Sequence, residues 1–435
     1  MNAVRTTAEP YWDLVERSLD EAAFFWKRWE ADLESLTRNL DAVWSWTEDR
    51  LHGALDGVRV AGEKAAEVTQ AALHGKDHAA VTAAAHALAA QTPPAAREAL
   101  AVAVRDATGA SLRAMTRGIE TAALDGSFAP VTAVLASAGP EHSAALCRIK
   151  RFRRVCPGSE LTQALQSGIA ALQADALRSL VCVADPALAA RHLAWGLKHA
   201  DPQVRHVAIE TGIRLRDPAA WQAARQLAEE RHPACASLLP ALAALGSPEE
   251  QPLVIGALRE PRLQRAGLFA LAYLGTPEAV EICLTGMRDA KLARSAAEAY
   301  CAITGAELER DQLAAPEPDE GPSLPRFEED RLDANLVPTA ADRWPLPDLE
   351  AVRRHWQGIQ RQFARGIRHW RGRPASPDIL LEAIEHGPML RRGDLALELA
   401  VRTAGQYDLE TRAFVPVQRS MIEAARARAG LAAVR

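Results

Sequence analysis

The chain has 435 residues, long for one compact core, so several domains or a repeat array are expected. Hydrophobic residues make up 48% and aromatic residues only 5%, with alanine and leucine supplying much of the apolar share, a balance that favours closely packed helices over sheet. A net charge of −5 excludes bulk attraction to nucleic acid or anionic lipid, and no stretch approaches the roughly 18 uninterrupted apolar residues of a membrane span.

Residues 1–10 carry no charged-then-apolar signal pattern, so a cytoplasmic protein is expected. The N-terminal segment then shows the sharpest periodicity. Val15, Leu19, Ala22, Trp26, Trp29, Leu33, Leu36, Leu40 and Val43 alternate steps of four and three. That spacing predicts one apolar seam along a continuous helix, entered after Pro10 and uninterrupted by proline or glycine before Gly53. Trp12, Phe24, Phe25, Trp44 and Trp46 add aromatic surface. The segment to residue 75 is read as a helical cap on a repeat array, with a partner groove as the alternative.

From residue 76 to 305 the chain is quasi-periodic. Asp201-Pro202-Gln203-Val204-Arg205-His206-Val207-Ala208 is the clearest unit, echoed at His232-Pro233, Glu260-Pro261 and Asp289, 28 to 31 residues apart. Weaker echoes fall at Gly139-Pro140 and around residues 171–177. An acidic residue followed by proline favours a helix start. Gly246 and Gly275, each with a proline two residues on, predict a stop followed by a new start. A helix pair cannot bury its apolar face alone, so neighbours must stack. The expected fold is all-α, a HEAT-like helical-repeat solenoid.

Residues 306–342 are acidic and proline-rich, read as a linker or loop. From Trp344 the chain is expected to return to helix, now basic, through Arg353, Arg354, Arg361, Arg365, Arg368, Arg371 and Arg373. These arginines either dock on the acidic stretch or form a nucleic-acid patch. Residues 377–402 read as another helical pair and 421–429 as a final helix, completing a C-terminal segment over 343–435.

Catalytic patterns are missing. There is no His-Glu step, HExxH, P-loop or Gly-x-Ser-x-Gly; Glu141-His142 and Glu385-His386 lie far apart, and His74 and His78 have no evident third ligand. The six cysteines form no CxxC pair and read as small buried hydrophobes. No enzyme activity, cofactor or metal is therefore expected. Trp195 and Trp221 read first as core or ridge residues and otherwise as anchors on a recognition face. Candidate partner-binding residues are Trp195, Arg205, Trp221, Arg265, Arg361, Arg365 and Arg368.

Two regions carry a resemblance. Leu19-Asp20-Glu21-Ala22-Ala23-Phe24-Phe25-Trp26, then Asp49-Arg50-Leu51 and Leu55-Asp56-Gly57-Val58-Arg59-Val60-Ala61-Gly62, resemble the opening of a bacterial HEAT-repeat family whose genes are often found beside type VI secretion genes in proteobacteria. Residues 356–363 with Gly366, Arg368, Trp370, Gly372 and Arg373 resemble that family's ending. The resemblance implies a non-enzymatic protein-binding scaffold near toxin delivery, either an immunity protein or an effector-loading adaptor. Its partner would be a secreted toxin or a secretion component, with nucleic-acid binding through the C-terminal arginines as the alternative and no membrane partner.

Overall fold

The structure, a computed structural model, describes residues 12–61, 65–90, 94–122, 129–316 and 340–433. Pro10 and residues 317–339 of the acidic stretch lie outside these. The described chain is all-α: its only strands are β1 (His369–Trp370) and β2 (Arg373–Pro374). It forms two compact units, one from residues 1–33, 40–220 and 410–421, the other from 34–39, 221–409 and 422–435.

The first unit begins with α1 (Trp12–Asp32), α2 (Leu40–Val43), a π-helical turn over Trp44–Glu48, and α3 (Asp49–Val60). Every residue of the predicted seam is buried, but the helix is not continuous: it stops at Asp32 and resumes at Leu40. The interruption needs no proline or glycine. The Ser35 hydroxyl accepts the Thr37 N–H (3.1 Å) and lies 3.2 Å from the Thr37 hydroxyl, local bonds that compete with the helical ladder. The chain then folds back, so α1 packs on α3. The Trp29 indole donates to Glu48 (2.9 Å), and the other Glu48 oxygen accepts the Val415 N–H (2.6 Å).

Helical pairs follow: α4 (Ala65–Leu73) with α5 (His78–Ala90), α8 (Ala129–Ser137) with α9 (Pro140–Phe152), α10 (Ser159–Leu165) with α11 (Ala170–Arg178), and α12 (Pro186–Leu197) with α13 (Pro202–Arg214), while of the intervening α6 (Pro94–Asp106) and α7 (Gly109–Thr121) the first packs on α5 and α8. The second helices stack in series, α5 on α7, α7 on α9, α9 on α11 and α11 on α13. α1 also packs on α5, which touches neighbours on so many sides that residues 81–89 are all buried. The expected start at Asp201-Pro202 is observed, with the Asp201 carboxylate accepting from the N–H groups of Gln203 (2.8 Å) and Val204 (3.3 Å).

α14 (Pro218–Glu229) leads to the second unit's α15 (Leu239–Leu245), α16 (Gln251–Ala257), α17 (Gln264–Leu274), α18 (Pro277–Gly286) and α19 (Ala293–Thr304), where α15 packs on α17 and α17 on α19. Gly275 ends α17 in the left-handed region (φ +60°), and Pro277 opens α18 with Thr276 as cap. Gly246 instead leaves α15 extended. Glu260-Pro261 and Asp289 lie in turns ahead of α17 and α19, not at their first residues. Where residues 317–339 leave and return, the flanks are tied together: Ala315 N–H donates to Leu346 O and Asp348 N–H to Leu313 O, both at 2.8 Å.

The basic region departs most from expectation. Helix covers only α20 (Leu349–Ile359) and a short turn, after which Gly366 and Gly372 adopt positive φ around the β1–β2 hairpin. Its backbone closes helix ends: His369 N–H donates to Gly275 O, Arg371 N–H to Ala302 O and Gly372 N–H to Ile303 O, each at 2.8 Å. Carbonyls left open at the ends of α17 and α19 thus find donors beside cationic side chains, where the helix dipole favours them. α21 (Pro377–His386) pairs with α22 (Arg392–Arg402), and α23 (Val415–Ala433) starts earlier than residue 421. Cys147, Cys235, Cys283 and Cys301 are buried, Cys182 partly so and Cys156 exposed, all as free thiols. Burial pushes the Cys147 thiol up to about 12, fitting a packing role.

Candidate functional site

Within the first unit, the stacked second helices line a cleft of about 740 Å³, within the size range of ligand sites. α7 contributes Ala110, Arg113, Ala114 and Arg117, one face at i, i+3, i+4 and i+7, while Leu112, Met115 and Ile119 go into the core. α9 contributes Arg148, Arg151 and Phe152, and α5 contributes His78, Ala79 and Thr82. Trp26, Lys27 and Glu30 of α1 line it too, as do Glu410 and Arg412. Six Lys or Arg side chains therefore face three carboxylates, a local excess of positive charge in a chain that is acidic overall.

Part of that charge holds the cleft together. Arg117 Nε donates to Glu30 (2.6 Å), its Nη1 lies 3.4 Å from Glu120, and its Nη2 donates to the Arg412 carbonyl (2.9 Å). The same guanidinium lies over the rings of Trp29 (5.1 Å) and Phe152 (5.6 Å). Arg412 also reaches Glu30 (2.8 Å), and Arg148 reaches Glu120 (3.3 Å). Burial alone would raise the Glu30 carboxyl; Arg117 and Arg412 outweigh it and hold the group below its ordinary value.

Lys27 pairs with Asp77 (2.9 Å), but two other cations are not matched. Arg113 is exposed and Arg151 half-buried, and among the described residues neither guanidinium meets a carboxylate or a hydrogen-bond acceptor. The Arg151 Nε is shut off from solvent. Beside Arg151, Arg154 lies 3.6 Å from Glu410. Burial, then the Arg154 and Arg151 charges, push Arg214 of α13 down to about 10 despite Glu410. The row from Arg113 to Arg214 is thus crowded with like charge, and an incoming anion would relieve it.

The residues expected from sequence fall elsewhere. Trp195 is 38% exposed on α12, with its ring 4.9 Å from His199. Arg205 donates to the carbonyls of His199 (2.7 Å) and Ala200 (2.6 Å), closing the end of α12. These two belong to the first unit; the other five belong to the second. Trp221 donates to Glu250, and Arg265 pairs with Asp342 at 2.9 Å. Arg368 makes a two-point contact with Glu398 and also meets Ala244 O, so it is an internal tie. Arg361 and Arg365 are exposed. Sequence reasoning missed Arg113, Arg117, Arg148 and Arg151. Their only local signal is i, i+4 and i, i+3 spacing, since the Glu30 partner of Arg117 lies 87 residues away.

Among the described residues no group of three or more His, Cys, Asp or Glu side chains could hold a metal, and no helix is long and apolar enough to cross a membrane. No protein-family model and no curated protein matches this chain.

Proposed function

We propose that this chain is a non-enzymatic, cytoplasmic protein-binding module of the HEAT-like repeat type, and that the cleft on α5, α7 and α9 receives part of its partner. The observation carrying this reading is the pair Arg113 and Arg151, cations on a concave lining that the fold leaves without counter-charges among the described residues. Partner recognition rests on a few anchors within a larger contact, and arginine is favoured among them. The resemblance of both end motifs to HEAT-repeat proteins encoded beside type VI secretion genes supports a toxin or secretion component as partner, and a role as immunity protein or effector-loading adaptor. Affinity capture from the native organism with wild-type and Arg113→Glu protein tests this. A secretion component or neighbouring toxin is expected with wild type and depleted with the variant; recovering neither with wild type removes the reading. Co-expression with that toxin separates the two roles, because an immunity protein restores growth.

Of the three arginines singled out for the alternative of nucleic-acid binding, Arg361 and Arg365 are exposed, whereas Arg368 is occupied by Glu398. Binding that falls steeply with salt and disappears in Arg361→Ala/Arg365→Ala would support it.

A further inference from the structure

We infer that the cleft is selective for a short acidic segment with an apolar side chain beside its carboxylates, with Arg113 and Arg151 as its anion receptors. This deepens the protein-binding reading and rests on it. Three features point to the same ligand chemistry. Arg151 is half-buried in the lining, and its guanidinium meets no carboxylate or hydrogen-bond acceptor among the described residues, so its charge is left for a ligand carboxylate to meet. Arg113 approaches the cleft from the neighbouring helix, so two carboxylates on one segment can be received together. The walls between them are apolar: Phe152 lines the cleft, as does Trp26, which is 2% exposed and has an indole N–H without an acceptor among the described residues.

Charge and size select the class. Glu30, Glu120 and Glu410 alternate with the cations, so an evenly charged phosphate backbone would meet repulsion along the cleft. A segment with spaced carboxylates can avoid those positions. About 740 Å³ suits a few residues of one segment.

The test uses the purified full-length chain and a fluorescein-labelled peptide, Asp-Glu-Phe-Asp-Glu, against the same peptide with Asn and Gln replacing its acids. Saturable binding of the acidic peptide is expected, weakening with salt and at least about tenfold tighter than the amide peptide. Arg113→Gln/Arg151→Gln should lose at least about tenfold, and Arg361→Gln should bind as wild type, with thermal melts checking that each variant is folded. Equal affinity for both peptides overturns the inference, as does binding indifferent to the double substitution. A short single-stranded DNA that binds more tightly than the peptide, and is lost in the same double variant, also overturns it in favour of nucleic acid. The two readings separate cleanly. A captured partner whose binding survives Arg113→Gln/Arg151→Gln removes the acidic-segment inference and the cleft as the docking site, and keeps a protein-binding role elsewhere on the chain. Peptide binding as expected with no captured partner does the reverse.

Discussion

The imidazole of His86 sits among Trp26 and Phe414, each with its ring centroid 5.6 Å away, and its Nδ1 is 3.0 Å from the Thr121 hydroxyl. Burial first, and then the charges of His52 and Arg153, push its pKa down to about 4, although a contact to the Gly118 backbone opposes this. In the unfolded chain a histidine titrates near 6.5. As pH drops below that value the unfolded state takes up a proton that the native state refuses. His86 therefore leaves stability untouched above about pH 6.5 and lowers it progressively down to about 4. By linkage the loss between pH 7 and 4.5 is about 2–3 kcal/mol. Urea midpoints of wild type and His86→Gln, measured across that range, check this. The variant starts less stable at pH 7 but should show a shallower acid slope, and an unchanged slope would exclude the assignment. Nothing local in the sequence announces this group, because Trp26, His52 and Phe414 come from distant parts of the chain. The seam residues were legible because their burial follows from spacing within one segment.

At the scale of elements, a tight demand falls where α5 crosses α7. A Cβ on Gly118 would collide with the Thr82 carbonyl and crowd the His86 N–H, so the two helices approach as closely as they do only because that position is glycine. Gly118→Ala should destabilise the first unit by about 1–3 kcal/mol, read as a lower thermal midpoint, even though alanine is the better helix former. A variant as stable as wild type would show that α5 and α7 can part without loss. The caps show which element boundaries a sequence discloses. Asp201-Pro202 and Gly275 with Pro277 act within a few residues, and their roles were readable. The stop at Asp32 rests on weak hydroxyl bonds at Ser35 and Thr37, which leave no proline or glycine signature. The β1–β2 hairpin was hidden for another reason: its donors serve Gly275, Ala302 and Ile303, carbonyls far earlier in the chain. A run of arginines therefore read as a basic helix, either docked on the acidic stretch or open to nucleic acid, when part of it completes other helices.

At the scale of the whole molecule, each unit has its own buried organisation, and in the second unit this centres on an ion pair. Arg391 is fully buried; its Nε donates to Glu298 (2.6 Å), its Nη2 meets the other Glu298 oxygen, and its Nη1 donates to Phe269 O (3.1 Å). The guanidinium lies 4.1 Å from the Phe269 ring centroid, while Tyr273 donates to Asp394 at 3.0 Å. Burial alone would lower the Arg391 pKa; Glu298 and then Tyr273 outweigh it and raise it, so the arginine stays charged in the core. Removing its counter-charge leaves a buried cation with hydrogen bonds but no partner of opposite sign. Glu298→Gln should then cost about 3–5 kcal/mol, and Glu298→Met/Arg391→Met should recover much of that loss, because two apolar side chains bury without desolvating charge. In stacked helical repeats a lesion acts on its own repeat and on its nearest neighbours. Hydrogen exchange on Glu298→Gln should therefore lose protection chiefly in α17, α19 and α22, with α5, α7 and α9 exchanging as in wild type. Equal loss along the whole chain would mean that the repeats unfold as one cooperative block. In that case a substitution far from the cationic cleft would weaken partner binding simply by unfolding it, whereas local loss predicts that Glu298→Gln still binds the acidic peptide at temperatures where α17, α19 and α22 have begun to exchange.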